Sequence, residues 1–124
     1  MPNIRNRKRY LPIAQELRKR LEAYGIKTEI KTIAAWGSIY ITCEDSRMGQ
    51  IRIGDHDERD RYGYRWQVRT DLEEIAIDTS KGHRRFFYPP SELAAMAKRM
   101  KQYHIRILEN AQREEIYDKL QAQG

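Results

Sequence analysis

Asp55, His56, Asp57 and Asp60 crowd into one short run, interleaved with Arg59 and Arg61. Carboxylates and an imidazole at that density could hold Mg²⁺ or Mn²⁺, or supply a base for nuclease chemistry. The spacing argues against a metal loop. A calcium loop opening at Asp55 would need glycine where Asp60 stands, and a closing bidentate acid where Trp66 stands. Arg59 and Arg61 neutralise the carboxylates, and Asp55 after Gly54 can close an Asx-turn. Asp55 and His56 are therefore expected to form a structural or ligand-contacting polar pair. No metal, no catalytic residue and no cofactor is assigned.

Other enzyme readings are less complete. Glu29-Ile30-Lys31 has the acid-x-lysine form that restriction-type nucleases place on a strand. No aspartate precedes position 45, however, so the first carboxylate would have to be Glu16 or Glu22 from a helix. His56, His83 and His104 fall on three separate elements, Cys43 alternates with isoleucines as a core residue does, and no glycine loop is present to cradle phosphates. A binding protein fits the chain better than an enzyme.

The elements flanking the acidic loop are strands. Ile39, Ile41 and Cys43 alternate with Ser38, Tyr40 and Thr42, and Ile51 and Ile53 alternate with Gln50 and Arg52, as half-buried strands require. The polar, glycine-ended segment 44–49 joins them as a hairpin with a longer loop. Beyond the acidic loop, Tyr64, Trp66 and Val68 resume the alternation against Arg65, Gln67 and Arg69. Over 38–70, the residues Ser38, Tyr40, Arg52, Ile53, Asp55 and His56 resemble a loose group of small phage and mobile-element proteins. That group carries Ser-x-Tyr, then Arg-Ile-Ser-Asp-His, then a tyrosine-rich strand. Gly54 stands where the group has serine. The resemblance implies a phage or mobile-element setting and no particular mechanism.

Upstream, Ala14, Leu17, Leu21 and Tyr24 recur at helical steps between Pro12, suited to a first turn, and Gly25, suited to a C-terminal cap. The spacing predicts a helix over 12–24 and a strand over 26–33. Segment 71–80 is open between a short strand through Ile75 and Ile77 and a helical turn at Asp71, Glu73 and Glu74, with the balance toward strand. Residues 83–88 read as a further strand. From Ser91 to Gln123 there is neither Gly nor Pro, while Leu93, Met96, Met100, Tyr103, Ile107 and Ala111 hold a helical stripe. Unbroken, such a helix reaches about 45 Å, so its end is expected to fray, bend or self-associate.

At 124 residues the chain is sized for a single domain over 1–124, comprising a basic arm at 1–10, a body, and the closing helix at 91–123. The expected fold is α+β, an antiparallel sheet of four to six strands flanked by an N-terminal and a long C-terminal helix, with one sheet face open. One cysteine excludes an intramolecular disulfide, and no apolar run is long enough to span a bilayer. A cytoplasmic protein without a membrane partner is expected.

The net charge of +6 favours a polyanionic partner. Arg5, Arg7, Lys8 and Arg9 precede the first acidic residue, Glu16, and Arg84 and Arg85 adjoin Phe86, Phe87 and Tyr88. These are the expected nucleic-acid contacts, since arginine engages phosphates and aromatic rings stack on bases. Tyr40, Arg52, Arg65 and Arg69, with Asp55 and His56, are the expected ligand-binding set on the open sheet face. The expected function is that of a small accessory protein binding nucleic acid through arm and sheet face. The alternative is a protein-binding inhibitor or adaptor of a host complex, with a metal-dependent nuclease behind both.

Overall fold

The computed structural model describes residues 4–32, 38–55, 64–80 and 82–123, without the side chains of 4–7 and 32. Helix α1 runs Ile4–Ala23. Tyr10, Ala14, Leu17 and Leu21, spaced four, three and four apart, are all buried, so the apolar stripe starts one turn earlier than Ala14. Pro12 sits inside the helix rather than at its start. Pro12 and Lys8 are both exposed, so the carbonyl left without its helical partner faces solvent. The helix expected over 12–24 thus starts earlier: residues 4–10, expected as a basic arm, are helical in backbone. At the other end Gly25, with φ 81°, closes the helix. Its N–H donates to Glu22 O at 2.9 Å and that of Ile26 to Leu21 O at 3.0 Å, a paired cap that needs the left-handed backbone glycine allows.

Six strands form one sheet: β1 (Thr28–Thr32), β2 (Ile39–Cys43), β3 (Gln50–Gly54), β4 (Trp66–Arg69), β5 (Ala76–Asp78) and β6 (Arg85–Tyr88). Their spatial order is β1-β2-β3-β4-β6-β5. The α+β class stands, with a correction: the sheet is mixed, because β3 pairs parallel to β4 and β4 parallel to β6. The long connection 55–65 permits this, since adjacent parallel strands need a crossover rather than a tight turn. β1 with β2, β2 with β3 and β5 with β6 are antiparallel. Between β2 and β3 a 3₁₀ turn, Ser46–Met48, is capped by Asp45, whose carboxylate accepts from Arg47 N at 3.1 Å. Segment 71–80, open between strand and helical turn in the sequence, contains the short strand β5, which includes Ile77 but not Ile75.

Helix α2 spans Leu93–Gln123 after a 3₁₀ turn at Pro90–Glu92. It buries Leu93, Met96, Ala97 and Met100, and Tyr103 and Ile107 pack against the core edge. From residue 112 onward every described residue is exposed. Both helices cover the same sheet face. There Leu17, Leu21, Met96 and Met100 meet Ile39, Ile41, Ile51, Ile53, Trp66, Val68 and Tyr88 in one core, each large side chain contributing about 1.5–3 kcal/mol by leaving water. Among the described residues no helix is long and apolar enough to cross a membrane.

The opposite face is enclosed at its centre, which corrects the expectation of an open surface. The register places Lys31, Tyr40, Arg52, Gln67, Phe87 and Ala76 in one cross-strand row. Tyr40 is 5% exposed, Arg52 4%, Gln67 1% and Phe87 5%. The Tyr64 ring packs on Tyr40 at 5.5 Å between centroids, and Gln67 Nε2 donates to Tyr64 O at 3.2 Å. Phe87 lies near the guanidinium groups of both Arg69 and Arg85, 5.6 and 5.5 Å from its centroid. Each of these arginines is neutralised locally: Arg69 by Asp71 at 2.6 Å, Arg85 by Asp78.

Candidate functional site

Arg99, Gln102, Tyr103 and Arg106 fall at three- and four-residue steps, so they share one side of α2. Burial of Met96 and Met100 turns that side along the margin of the sheet. Beneath it, the parallel register sets Trp66 beside Phe86, and their rings stack at 4.8 Å with 16° between planes. Tyr103 meets the Trp66 ring edge-on, at 5.7 Å and 78°. On these rings lie two guanidinium groups. Arg99 sits 4.9 Å over Phe86 and Arg65 4.6 Å over Tyr103, contacts that favour the cation and hold it in place. Arg65 Nη1 also donates to the Tyr103 hydroxyl. The turn after β5, with Gly82 at φ 81°, delivers His83 and Arg84 to the same place.

The result is a cavity of about 470 Å³ lined by Arg65, Arg84, Arg99, Arg106 and His83 over Trp66, Phe86 and Tyr103, with no carboxylate among the described residues of the lining. A second cavity of about 290 Å³ shares Arg65, His83 and Tyr103 with it and continues to the turn at 46–50. The hydrogen-bonded Arg65 and Tyr103 therefore stand in the middle of one groove. Among the described residues none of its four arginines has an ion-pair partner, whereas Arg18, Arg20, Arg47, Arg69 and Arg85 all do. Four positive charges around a low-dielectric aromatic floor, two of them, Arg65 and Arg99, seated on its rings, make a strongly attractive place for an oxyanion.

Of the described residues among the ligand-binding set expected from the sequence, only Arg65 faces this groove. Tyr40 and Arg52 are enclosed on the opposite sheet face, Arg69 is paired with Asp71 there, and Asp55 is half-buried at the end of β3. His56, with Asp57 and Asp60, lies outside the described residues. Among the expected nucleic-acid contacts, Arg84 joins the groove and Arg85 is buried against Asp78. Lys8 and Arg9 are exposed near the start of α1, while Arg5 and Arg7 are helical in backbone with side chains not described. Sequence reasoning missed Arg99, Gln102, Tyr103 and Arg106 as a site. Their spacing was a usable signal, but it gives a helix side and not what that side faces.

Of the pattern residues, Ser38, Tyr40 and Arg52 come together as a buried cluster, with Gly54, the departure from the pattern, beside them. Arg52 Nη2 donates to Ser38 Oγ at 3.3 Å, and Tyr40 is the direct cross-strand neighbour of Arg52. At Gly54 a Cβ would stand 2.9 Å from Nη2 and 3.0 Å from Cζ. The guanidinium thus occupies the space a side chain at 54 would take.

Elsewhere the polar groups read as structural. His104 Nε2 lies 3.1 Å from Asp45 Oδ2, and Arg47 holds the same carboxylate at 2.7 Å, fastening α2 to the 3₁₀ turn. The side-chain hydrogen bond from Arg47 is the main reason the Asp45 carboxyl is held well below the usual carboxylate range, with the Arg47 backbone N–H and His104 adding to it. Burial pushes the Cys43 thiol up to about 11, which leaves it protonated and unreactive near neutrality. On β1, Glu29 and Lys31 are exposed while Ile30 packs against the core. Among the described residues no three His, Cys, Asp or Glu side chains converge on a point where a metal ion would sit. No family model, no curated protein and no solved structure matches the chain.

Proposed function

We propose that the protein binds nucleic acid through the sugar–phosphate backbone, using the groove between α2 and the margin formed by β4, β5 and β6. The observation that carries this reading is the set of four arginines, Arg65, Arg84, Arg99 and Arg106, which face one cavity without an ion-pair partner among the described residues. Phosphodiesters are the anions presented in series along a chain, and guanidinium groups spaced along a groove match them. The aromatic floor serves to hold Arg65 and Arg99. Trp66 is 0% and Phe86 8% exposed, so stacking on bases contributes little and binding is tolerant of sequence.

The exposed Lys8 and Arg9 near the start of α1 form a second basic patch. Tyr10 of α1 adjoins Thr70 at the end of β4, while Arg65 precedes its beginning, so the two patches lie toward opposite ends of that strand and are separable by mutation. In this reading the protein acts in the cytoplasm, in a phage or mobile-element setting. Fluorescence anisotropy with labelled duplex DNA, single-stranded DNA and RNA at about 50 mM salt tests it. Binding that weakens steeply with salt supports the proposal. Absence of binding to all three removes it and promotes the alternative, a protein-binding inhibitor or adaptor.

A further inference from the structure

We propose that the far face of the sheet holds a second anion site, in which Arg52 and Gln67 together receive a protonated phosphate group, either free phosphate or a phosphomonoester. Arg52 is 4% exposed. Beyond its bond to Ser38, its Nε and Nη1 are enclosed with no hydrogen-bond partner among the described residues. Arginine does not shed its proton in a protein, so it cannot escape the desolvation penalty by becoming neutral, and a buried cation without a counter-charge is strongly unfavourable. The two other described arginines on this face each have a carboxylate, Asp71 for Arg69 and Asp78 for Arg85. Among the described residues no carboxylate pairs with Arg52.

Gln67 selects among anions. It is the direct cross-strand neighbour of Arg52 and is 1% exposed. Its amide orientation is set by Nε2 donating to Tyr64 O at 3.2 Å. That leaves Oε1 as an enclosed acceptor without a donor among the described residues. A ligand satisfying both residues must accept from a guanidinium and donate to a carbonyl oxygen. Monohydrogen and dihydrogen phosphate and singly protonated phosphomonoesters do both, whereas sulfate and internal phosphodiesters carry no proton to give near neutrality. Gly54 supplies the space for the guanidinium, and its cross-strand partner, the partly exposed Arg69, stands on the same face at the ends of the parallel strands β3 and β4, where open sheets with parallel strands accommodate ligands.

Thermal unfolding of the full chain in sodium phosphate, sodium sulfate and sodium chloride at equal ionic strength, pH 6.5, tests the site. At roughly ten to a hundred times its Kd, phosphate is expected to raise Tm by about 4–10 °C more than sulfate does. Arg52→Gln should abolish that difference, and Arg99→Ala with Arg106→Ala, which alters only the groove, should keep it. Adenosine monophosphate against inorganic phosphate separates the ester from the free ion. Should Arg52→Gln fail to fold, the Arg Nε–Hε resonance of Arg52 in the wild-type protein must shift on phosphate addition and stay put in sulfate. A phosphate response unchanged in Arg52→Gln, or a static resonance, overturns the proposal and returns the counter-charge of Arg52 to the chain itself. Equal responses to sulfate and phosphate overturn the part assigned to Gln67.

Discussion

The guanidinium of Arg52 lies against the α-carbon of Gly54, two residues along the same strand, so closely that a Cβ at 54 would stand 2.9 Å from Nη2. No positive φ demands glycine there; the demand is for space. Gly54→Ala should therefore force the enclosed Arg52 toward Tyr40 and Gln67. Overpacking of this kind costs about 1–3 kcal/mol, partly offset by about 0.4–1 kcal/mol from a stiffer unfolded chain. Urea unfolding should show a net loss of about 1–2 kcal/mol. An unchanged or higher midpoint would mean that the arginine moves aside freely.

Leu17 on α1 and Ile41 on β2 are both 0% exposed and share one core. Truncating either to alanine removes apolar contacts and leaves a cavity, so each variant should lose about 2–5 kcal/mol in denaturant unfolding. Stability within 1 kcal/mol of wild type (roughly) in both would contradict the helix-on-sheet packing.

Asp45 and Asp78 give the protein an acid limit. The Asp45 carboxyl is held down chiefly by the Arg47 side chain. That of Asp78 is brought to about 2 by the Ser80 side chain and backbone N–H, with Arg85 behind them. Both folded values lie below the ordinary carboxyl value, so the ionised forms stabilise the fold fully above about pH 4. That contribution is lost as pH falls, through about 2 for Asp78 and lower still for Asp45. Tm measured from pH 6 to pH 2 should drop on the acid side, and Asp45→Asn should lower the plateau and flatten the drop. A variant with the wild-type acid slope would mean that Asp45 does not clasp α2 to the turn.

The last turns of α2 bury nothing: every described residue from 112 onward is exposed, with Ile116, Tyr117 and Leu120 at 52%, 62% and 62%. A chain ending at Ala111 should keep the wild-type Tm within about 2 °C, as expected when exposed residues without core contacts are removed. A larger loss that depends on protein concentration in the full chain would instead point to self-association through this helix.

Most of the elements were legible in the sequence because periodicity reports which face a residue takes. The alternation of Ile39 with Tyr40, and the steps from Leu93 to Met100, translate directly into strand and helix. Pairing order is different. Nothing in the alternation of β3 or β4 says that they run parallel, and the adjacent apolar residues Phe86, Phe87 and Tyr88 were the nearest hint that β6 is covered on both faces. Pro12 misled because its preference for a first turn is a tendency, and a solvent-facing carbonyl lets it sit inside a helix. The groove was only partly legible. Arg65 and Arg84 stood out, but Arg99 and Arg106 become part of a site only when α2 is laid along the edge of the sheet, a relation carried by tertiary packing.

The most direct test of the groove compares the salt dependence of duplex DNA binding in the wild-type protein and in Arg99→Ala/Arg106→Ala. If each of the four groove arginines meets one phosphate, the slope of log affinity against log salt is about −3.6, and raising salt from about 50 to 200 mM weakens binding about 150-fold. The double variant should have a slope of about −1.8 and weaken only about 12-fold over the same range, with its fold intact by circular dichroism. A variant that keeps the full slope, or a wild-type protein with none, would contradict the assignment of the groove as the nucleic-acid interface.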